Sequence, residues 1–311
     1  MREPQLVALA GGTGAAKLLR GLCYVIDPSD LTVIVNTGDD WVVWGLSISP
    51  DLDTVTYTLA GLIDETRGWG VRDDTFRCLA VMAALGRETW FNLGDKDLAT
   101  HLYRTGRLRE GNTLSQVTDE IRRRFGIRNR ILPMSDQRVA TRVLTPDGWL
   151  AFQEFFVREK GQLEVQDVAY ERSESAGPAP GVVEAISQAA AVIVCPSNPI
   201  SSIGPILAIR GIQDSLAATR APIVAVSPIV GGGPVSGPAG KMMLAKGLPV
   251  SPVGVAQAYE KWLDVLVLDR QDSALASEVQ ALGIRAVVTD TIMRDRQTEV
   301  SLARAVVRAL S

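Results

Sequence analysis

Two short acidic strings stand close together near the front of the chain: Asp39-Asp40, and the pair Asp51 and Asp53 within Ser49-Pro50-Asp51-Leu52-Asp53. Carboxylates spaced this closely can bracket one hard cation or take the proton of one hydroxyl, which is the chemistry of phosphoryl-type transfer. Pro50 suits the first turn of a helix, so Asp51 also has an ordinary reading as a carboxylate at a helix start, while Asp53 lies further in. The chain has a single histidine, His101. One imidazole cannot build a histidine zinc site or a two-histidine relay, so a cation here must be held by carboxylates, which selects a hard cation such as magnesium. His101 itself reads either as a satisfied helix residue or as a binding group.

A glycine loop, Ala10-Gly11-Gly12-Thr13-Gly14, follows the first apolar run and opens a helical stretch. Backbone amides in such a loop face an anion, and the helix dipole favours phosphate there. It departs from a P-loop, because Ala16 and Leu18 stand where glycine and a hydroxyl residue are needed. It departs from a dinucleotide fingerprint too, since Lys17 replaces the third glycine. Two more loops carry small polar side chains after later strands. The first, Pro196 to Pro205, contains Ser197, Asn198, Ser202 and Gly204; the second runs from Ser227 to Lys241 and is rich in proline and glycine. Turn chemistry alone explains some of these residues, but three such loops after strands suggest one ligand-binding edge.

The elements that must position these loops form a doubly wound α/β pattern. Short apolar runs at Leu6–Ala10, Leu31–Val35, Ala191–Val194, Pro222–Val226, Asp264–Leu268 and Arg285–Val288 read as parallel strands covered on both faces. Helices are expected at Ala15–Ile26, Ser273–Leu282 and Thr298–Leu310. Residues 50–175 read differently, as an α+β insertion with helices at Leu52–Asp64, Asp74–Leu85, Asp97–Arg104 and Leu114–Phe125. A hairpin is expected around Pro146-Asp147-Gly148. The division is therefore a Rossmann-like core of 1–49 and 176–311, interrupted by an insertion at 50–175.

Composition narrows the function classes. The chain has 311 residues with a net charge of −3 and is 46% hydrophobic, so no basic field points to nucleic acid. The local run Arg122, Arg123, Arg124, Arg128 and Arg130 reads as the solvated end of a helix or as a clamp on an anion. Cys23, Cys78 and Cys195 have no metal or disulfide spacing. With no apolar stretch of membrane-spanning length and no leader-like start, a cytoplasmic protein is expected.

Longer strings decide more. Gly11-Gly12-Thr13-Gly14, Asn36-Thr37-Gly38-Asp39-Asp40, Ser49 to Val55, Arg67-Gly68-Trp69-Gly70, Leu93 to Asp97 with Ala99-Thr100-His101, and Leu132 to Asp136 occur in order, followed by the two later loops. Together they resemble the 2-phospho-L-lactate transferase family of coenzyme F-420 biosynthesis over essentially the whole chain. The resemblance implies a guanylylated C3 acid as donor, carrying lactate or enolpyruvate. The phosphorylated acid passes to the ribityl hydroxyl of 7,8-didemethyl-8-hydroxy-5-deazariboflavin, releasing GMP and forming coenzyme F-420-0 or its dehydro form. It places Asp53, Asn92 and His101 at the acceptor, with Asn92 standing where the family can show a lysine. Gly11, Gly12, Thr13, Gly14, Lys17, Ser197, Asn198, Ser202 and Gly204 are expected at the donor nucleotide and its phosphates, and Asp39, Asp40 and Asp53 at magnesium. A homodimer is implied as well. Trp44, Trp69, Trp90 and Phe91 are candidates to stack on the tricyclic acceptor, with core packing as the alternative. The competing readings are a non-enzymatic nucleotide-sugar-binding regulator resembling the gluconeogenesis-factor family, and a dinucleotide-dependent oxidoreductase.

Overall fold

The computed structural model describes residues 5–310. Its strands, in chain order, begin with β1 (Leu6–Ala10), β2 (Leu31–Val35), β3 (Trp41–Val43), β4 (Leu46–Ile48) and β5 (Arg130–Pro133). They continue with β6 (Ala140–Thr145), β7 (Gly148–Ala151), β8 (Asp167–Glu171), β9 (Ala191–Val194) and β10 (Ile223–Val226). Then come the short pair β11 (Ile229–Val230) and β12 (Gly233–Pro234), followed by β13 (Val265–Asp269) and β14 (Arg285–Thr289). Seven of them form one sheet in the order β14-β13-β10-β9-β1-β2-β5, and every neighbouring pair is parallel. The fold is a Rossmann-like α/β sheet, as the sequence predicts.

Alternation along the strands builds two cores. Val7, Leu9, Ile34, Val192, Val194 and Leu266 pack on one face, while Ala8, Ala10, Val33, Val35, Ile193 and Val267 pack on the other. Period-two geometry sends successive side chains to opposite faces, so strands apolar at every position need helices on both sides. The second face is covered by α1 (Gly12–Leu22) and by the last helix, Arg296–Ala309.

The chain reverses its winding between β1 and β9, and ligands bind at that kind of switch point, beyond the carboxyl ends of the strands. The glycine loop leaves β1 there and the Pro196–Pro205 loop leaves β9.

One sheet strand was not expected. β5 pairs with β2 at the sheet edge, so the stretch read as an insertion returns to the sheet halfway along. Only Ile131 and Leu132 are apolar in it, and Pro133 argues against a strand except at an edge, where its missing N–H is harmless. Helix ends also shift. The first begins at Gly12 and stops at Leu22, α2 is Pro50–Leu59, α3 is Arg77–Ala84, α4 is Asp95–Arg109 and α5 is Leu114–Arg124. The expected hairpin is present, with β6 also pairing with β8. A second hairpin, β3–β4, turns through Trp44 and Gly45, whose φ values of 51° and 80° are those of a tight twisted turn. The basic run at the end of α5 is a solvated face: Arg122 and Arg123 pair with Asp119, and Arg128 with Asp27. No described helix is long and apolar enough to cross a membrane.

Candidate active site

The glycine loop is drawn tight by contacts that leave no room for side chains at Gly11 and Gly14. The Gly12 N–H donates to Asp51 Oδ1 at 2.8 Å, with Gly12 at φ +74°, a conformation that favours glycine. A Cβ on Gly14 would come within 2.3 Å of the Pro196 carbonyl, so the loops after β1 and β9 touch. Between them opens a cavity lined by Gly11, Gly12, Thr13, Gly14, Ser197 and Ser202, closed on the far side by Ser236 to Ala239. Ser197 Oγ is buried without a partner. A phosphate oxygen would satisfy it, and buried hydroxyls are rarely left unbonded.

The acidic turn lies beneath this cavity. Asp51 is a clip: Oδ1 accepts from Gly12, and Oδ2 accepts from Asn36 Nδ2 at 2.9 Å. Burial pushes its carboxyl up to about 6, against the pull of those two donors. Asp39 is raised well above the carboxylate range by burial and by the charge of Asp51. Asp40 is raised chiefly by burial, although Ser49 Oγ donates to its Oδ2 at 2.7 Å. Oδ1 of Asp39 and Oδ1 of Asp40 are buried and accept nothing. Two orphaned carboxylate oxygens in a crowded anionic turn are the donor set a hard divalent cation takes.

Asp53 faces another way. Both its oxygens accept from the Arg104 guanidinium, Oδ2 at 3.0 Å from Nη1 and Oδ1 from Nη2. His101 lies between two carboxylates, Nδ1 3.7 Å from Asp53 Oδ2 and Nε2 3.2 Å from Asp97 Oδ1. Tyr57 donates to the same Asp97 oxygen at 2.7 Å. Burial alone would lower the Arg104 pKa, but Asp53 raises it above the ordinary value. Burial, the largest single influence, pushes Asp97 up, but His101, the Tyr57 hydroxyl and Arg104 together outweigh it and leave the carboxyl below its usual range. Asp53, Asp97 and His101 are close enough to share an ion. With Arg104 already neutralising Asp53, the arrangement is a paired network rather than an empty cage.

This network floors a second, larger cleft of about 470 Å³, lined by Asp53, Tyr57, Trp69, Phe91, Asn92 and His101. Gly12, Thr13, Asp39, Asp51, Phe152 and Phe156 line both clefts, so the two open into each other around the acidic turn. Phe152 and Phe156 stack at 5.5 Å on the dividing wall.

Most of the expected site residues line one of these two clefts, and Lys17, Gly204 and Asp40 do not; Asp40 faces a separate space beside Trp41 and Gln153. Lys17 Nζ donates to the Met293 carbonyl at 3.2 Å and does not line either cleft. Gly204 is glycine for packing: a Cβ there would lie 2.0 Å from the Tyr170 hydroxyl, which donates to the Ile200 carbonyl. Asn198 lines the donor cavity, but its Oδ1 is used by the N–H groups of Ile200 and Ser201. Trp44 and Trp90 line a separate hollow with Trp41, leaving Trp69 and Phe91 for the larger cleft. Arg104, Asp97, Tyr57 and Phe152 were not expected. The helical spacings Asp53–Tyr57 and Asp97–His101–Arg104, each placing its members on one face, are the signal that could have found them.

The chain is similar to known proteins along nearly its whole length. The profile of the family described as 2-phospho-L-lactate transferase CofD matches residues 6–307. The chain belongs to that family. Relatives in it include a 2-phospho-L-lactate transferase of Methanopyrus kandleri, 45% identical over 308 residues, covering 98% of this chain and 97% of that one. A phosphoenolpyruvate transferase of Streptomyces griseus subsp. griseus is 44% identical over 306 residues, covering 96% of each. Family membership makes this chain a transferase. A crystal structure of a UPF0052 family protein from Bacillus halodurans matches with a TM-score of 0.68 over 99% of each chain, at 16% identity, which is a likeness of fold.

Proposed function

We propose that the chain moves a phosphorylated C3 acid from its diphospho-5′-guanosine donor to the ribityl hydroxyl of 7,8-didemethyl-8-hydroxy-5-deazariboflavin, releasing GMP. The observation that carries this reading is the pair of clefts meeting at Asp39 and Asp51. One has a glycine loop and an orphaned serine for a diphosphate. The other has an aromatic wall and a carboxylate for a flat tricycle bearing an alcohol. The new bond joins the ribityl oxygen to the phosphorus that carries the acid, and the bond from that phosphorus to the GMP oxygen breaks. Asp53, fixed by Arg104, aligns the hydroxyl and takes its proton. The glycine-loop amides hold oxygens that are not transferred. Holding both reactants in line can lower the barrier by roughly 7–11 kcal/mol, more than the base supplies.

Magnesium fits the oxygens of Asp39 and Asp40 better than those of Asp53, which Arg104 occupies. When bound it would neutralise diphosphate charge and favour departure of GMP. The deciding assay incubates the protein with each guanylylated acid, the deazaflavin and magnesium, then identifies products by mass spectrometry. Appearance of GMP with a phosphodiester joining the ribityl oxygen to the C3 acid is expected; unchanged deazaflavin with every donor would refute the reading.

We also infer a second copy of the chain in solution. Helix α3 reads Arg77-Cys78-Leu79-Ala80-Val81-Met82-Ala83-Ala84 and buries none of these residues. Val81 is 58% exposed and the following Leu85 71%. An apolar helix only half-covered at Leu79 and Met82 within its own chain fits a face that a symmetric partner would bury.

A further inference from the structure

A third cavity, of about 180 Å³, opens behind the acidic turn, between it and the β6–β7–β8 sheet. Asp39 and Phe152 line it and both clefts described above, so three spaces converge on one point. The mouth of this third space is basic. Arg138, Arg142 and Arg172 stand on it, and among the described residues Arg138 and Arg172 make no ion pair. Arg142 Nε faces Glu171 Oε1 at 3.3 Å without an aligned hydrogen bond, leaving that buried donor unused. Arg172 has φ +66°, a left-handed conformation that costs a branched or long side chain about 1 kcal/mol and tends to persist at ligand sites.

The proposed reaction needs such a space. The phosphorus under attack carries three ester arms in the transition state. The incoming ribityl oxygen and the departing GMP oxygen lie opposite one another, in line. The third arm, the C3 acid, is retained; its bond to phosphorus is neither made nor broken, and it projects sideways from the reaction axis. The nucleotide arm has the glycine-loop cavity and the alcohol arm has the aromatic cleft. We propose that the third cavity receives the retained acid and that Arg142 and Arg172 bind its carboxylate.

The inference rests on the functional reading above. A planar guanidinium fork matches a carboxylate in two parallel hydrogen bonds, as the retained acid requires. Carboxylates in the same wall do not spoil the match. Asp39 and Asp40 are the oxygens assigned to the cation, and Glu171 sits at the rim with its side chain 56% exposed. Gln153, donating to the Asp39 carbonyl at 3.1 Å, holds the wall that the acid would pass. A site built to bond a charged group discriminates strongly against an analogue lacking it, because its own donors are then left unpaired.

The test compares two donors, guanylylated lactate and the same compound with the acid converted to its amide. It uses the full chain, wild type, Arg142→Gln, Arg172→Gln and Arg172→Lys. Wild type should favour the acid, and each glutamine variant should lose about tenfold or more in kcat/KM on the acid donor. On the amide donor the variants should match wild type, with KM for the deazaflavin unchanged, and Arg172→Lys should recover part of the preference. Calorimetric binding of both donors without acceptor should show the same lost increment. Equal losses on acid and amide, or no loss on either, overturn the assignment. A wild-type protein that transfers from neither of these donors nor from guanylylated enolpyruvate overturns the functional reading, and this assignment falls with it.

Discussion

At the scale of single residues, Asp53 and Arg104 act as a unit. Asp53→Asn should lower turnover roughly 10²- to 10⁴-fold at saturating acceptor, the range a positioned base supplies. Arg104→Gln leaves Asp53 buried with no counter-charge and should cost about 3–5 kcal/mol in urea unfolding. The double variant should be less damaged than the two single losses predict, and strict additivity would mean the two groups do not interact. Asp39 gives a pH signature. Burial raises its folded carboxyl, so its contribution to stability is complete below the unfolded value of about 4 and is lost as pH rises through the folded value. Asp39→Asn should therefore melt higher than wild type at pH 8 without magnesium, and the gap should close toward pH 4. Magnesium should raise the wild-type melting temperature more than that of the variant. The sequence made the acidic strings legible as a group but not their division of labour. Asp51 reads as a helix-start carboxylate yet ties the glycine loop, and Asp53 reads as a cation ligand yet pairs with an arginine more than fifty positions away.

At the scale of elements, the loops after β1 and β9 depend on mutual contact. Gly14→Ala would drive a methyl group into the Pro196 carbonyl, a rigid backbone atom. It should destabilise the fold by about 1–3 kcal/mol and weaken donor binding with little change in acceptor affinity, measured by calorimetry with GDP and with deazaflavin separately. The core strands were legible because each is a short apolar run bounded by turn residues. β5 was not, since two apolar residues before a proline carry too little pattern, and only its place at the sheet edge makes the proline tolerable. The β3–β4 hairpin escaped for a related reason: its turn uses Trp44 at positive φ, where asparagine or glycine is the usual signal. The three-way convergence on Phe152 was equally hidden, because it joins residues from distant loops that no local spacing connects.

At the scale of the whole molecule, α3 is the feature a solitary chain does not explain. Val81→Glu or Leu85→Glu should shift the protein from dimer to monomer in sedimentation velocity while leaving its circular dichroism intact. A wild-type protein already monomeric at micromolar concentration would remove the case for a partner copy. The molecule also contains one imidazole in 311 residues, and it is buried on the floor of the larger cleft between Asp53 and Asp97. Nitrogen-15 labelling of histidine would thus yield a spectrum with a single ring system and nothing to assign. Its tautomer and chemical shifts, followed during titration with either substrate, would report on the reaction chamber itself, free of background from the rest of the fold.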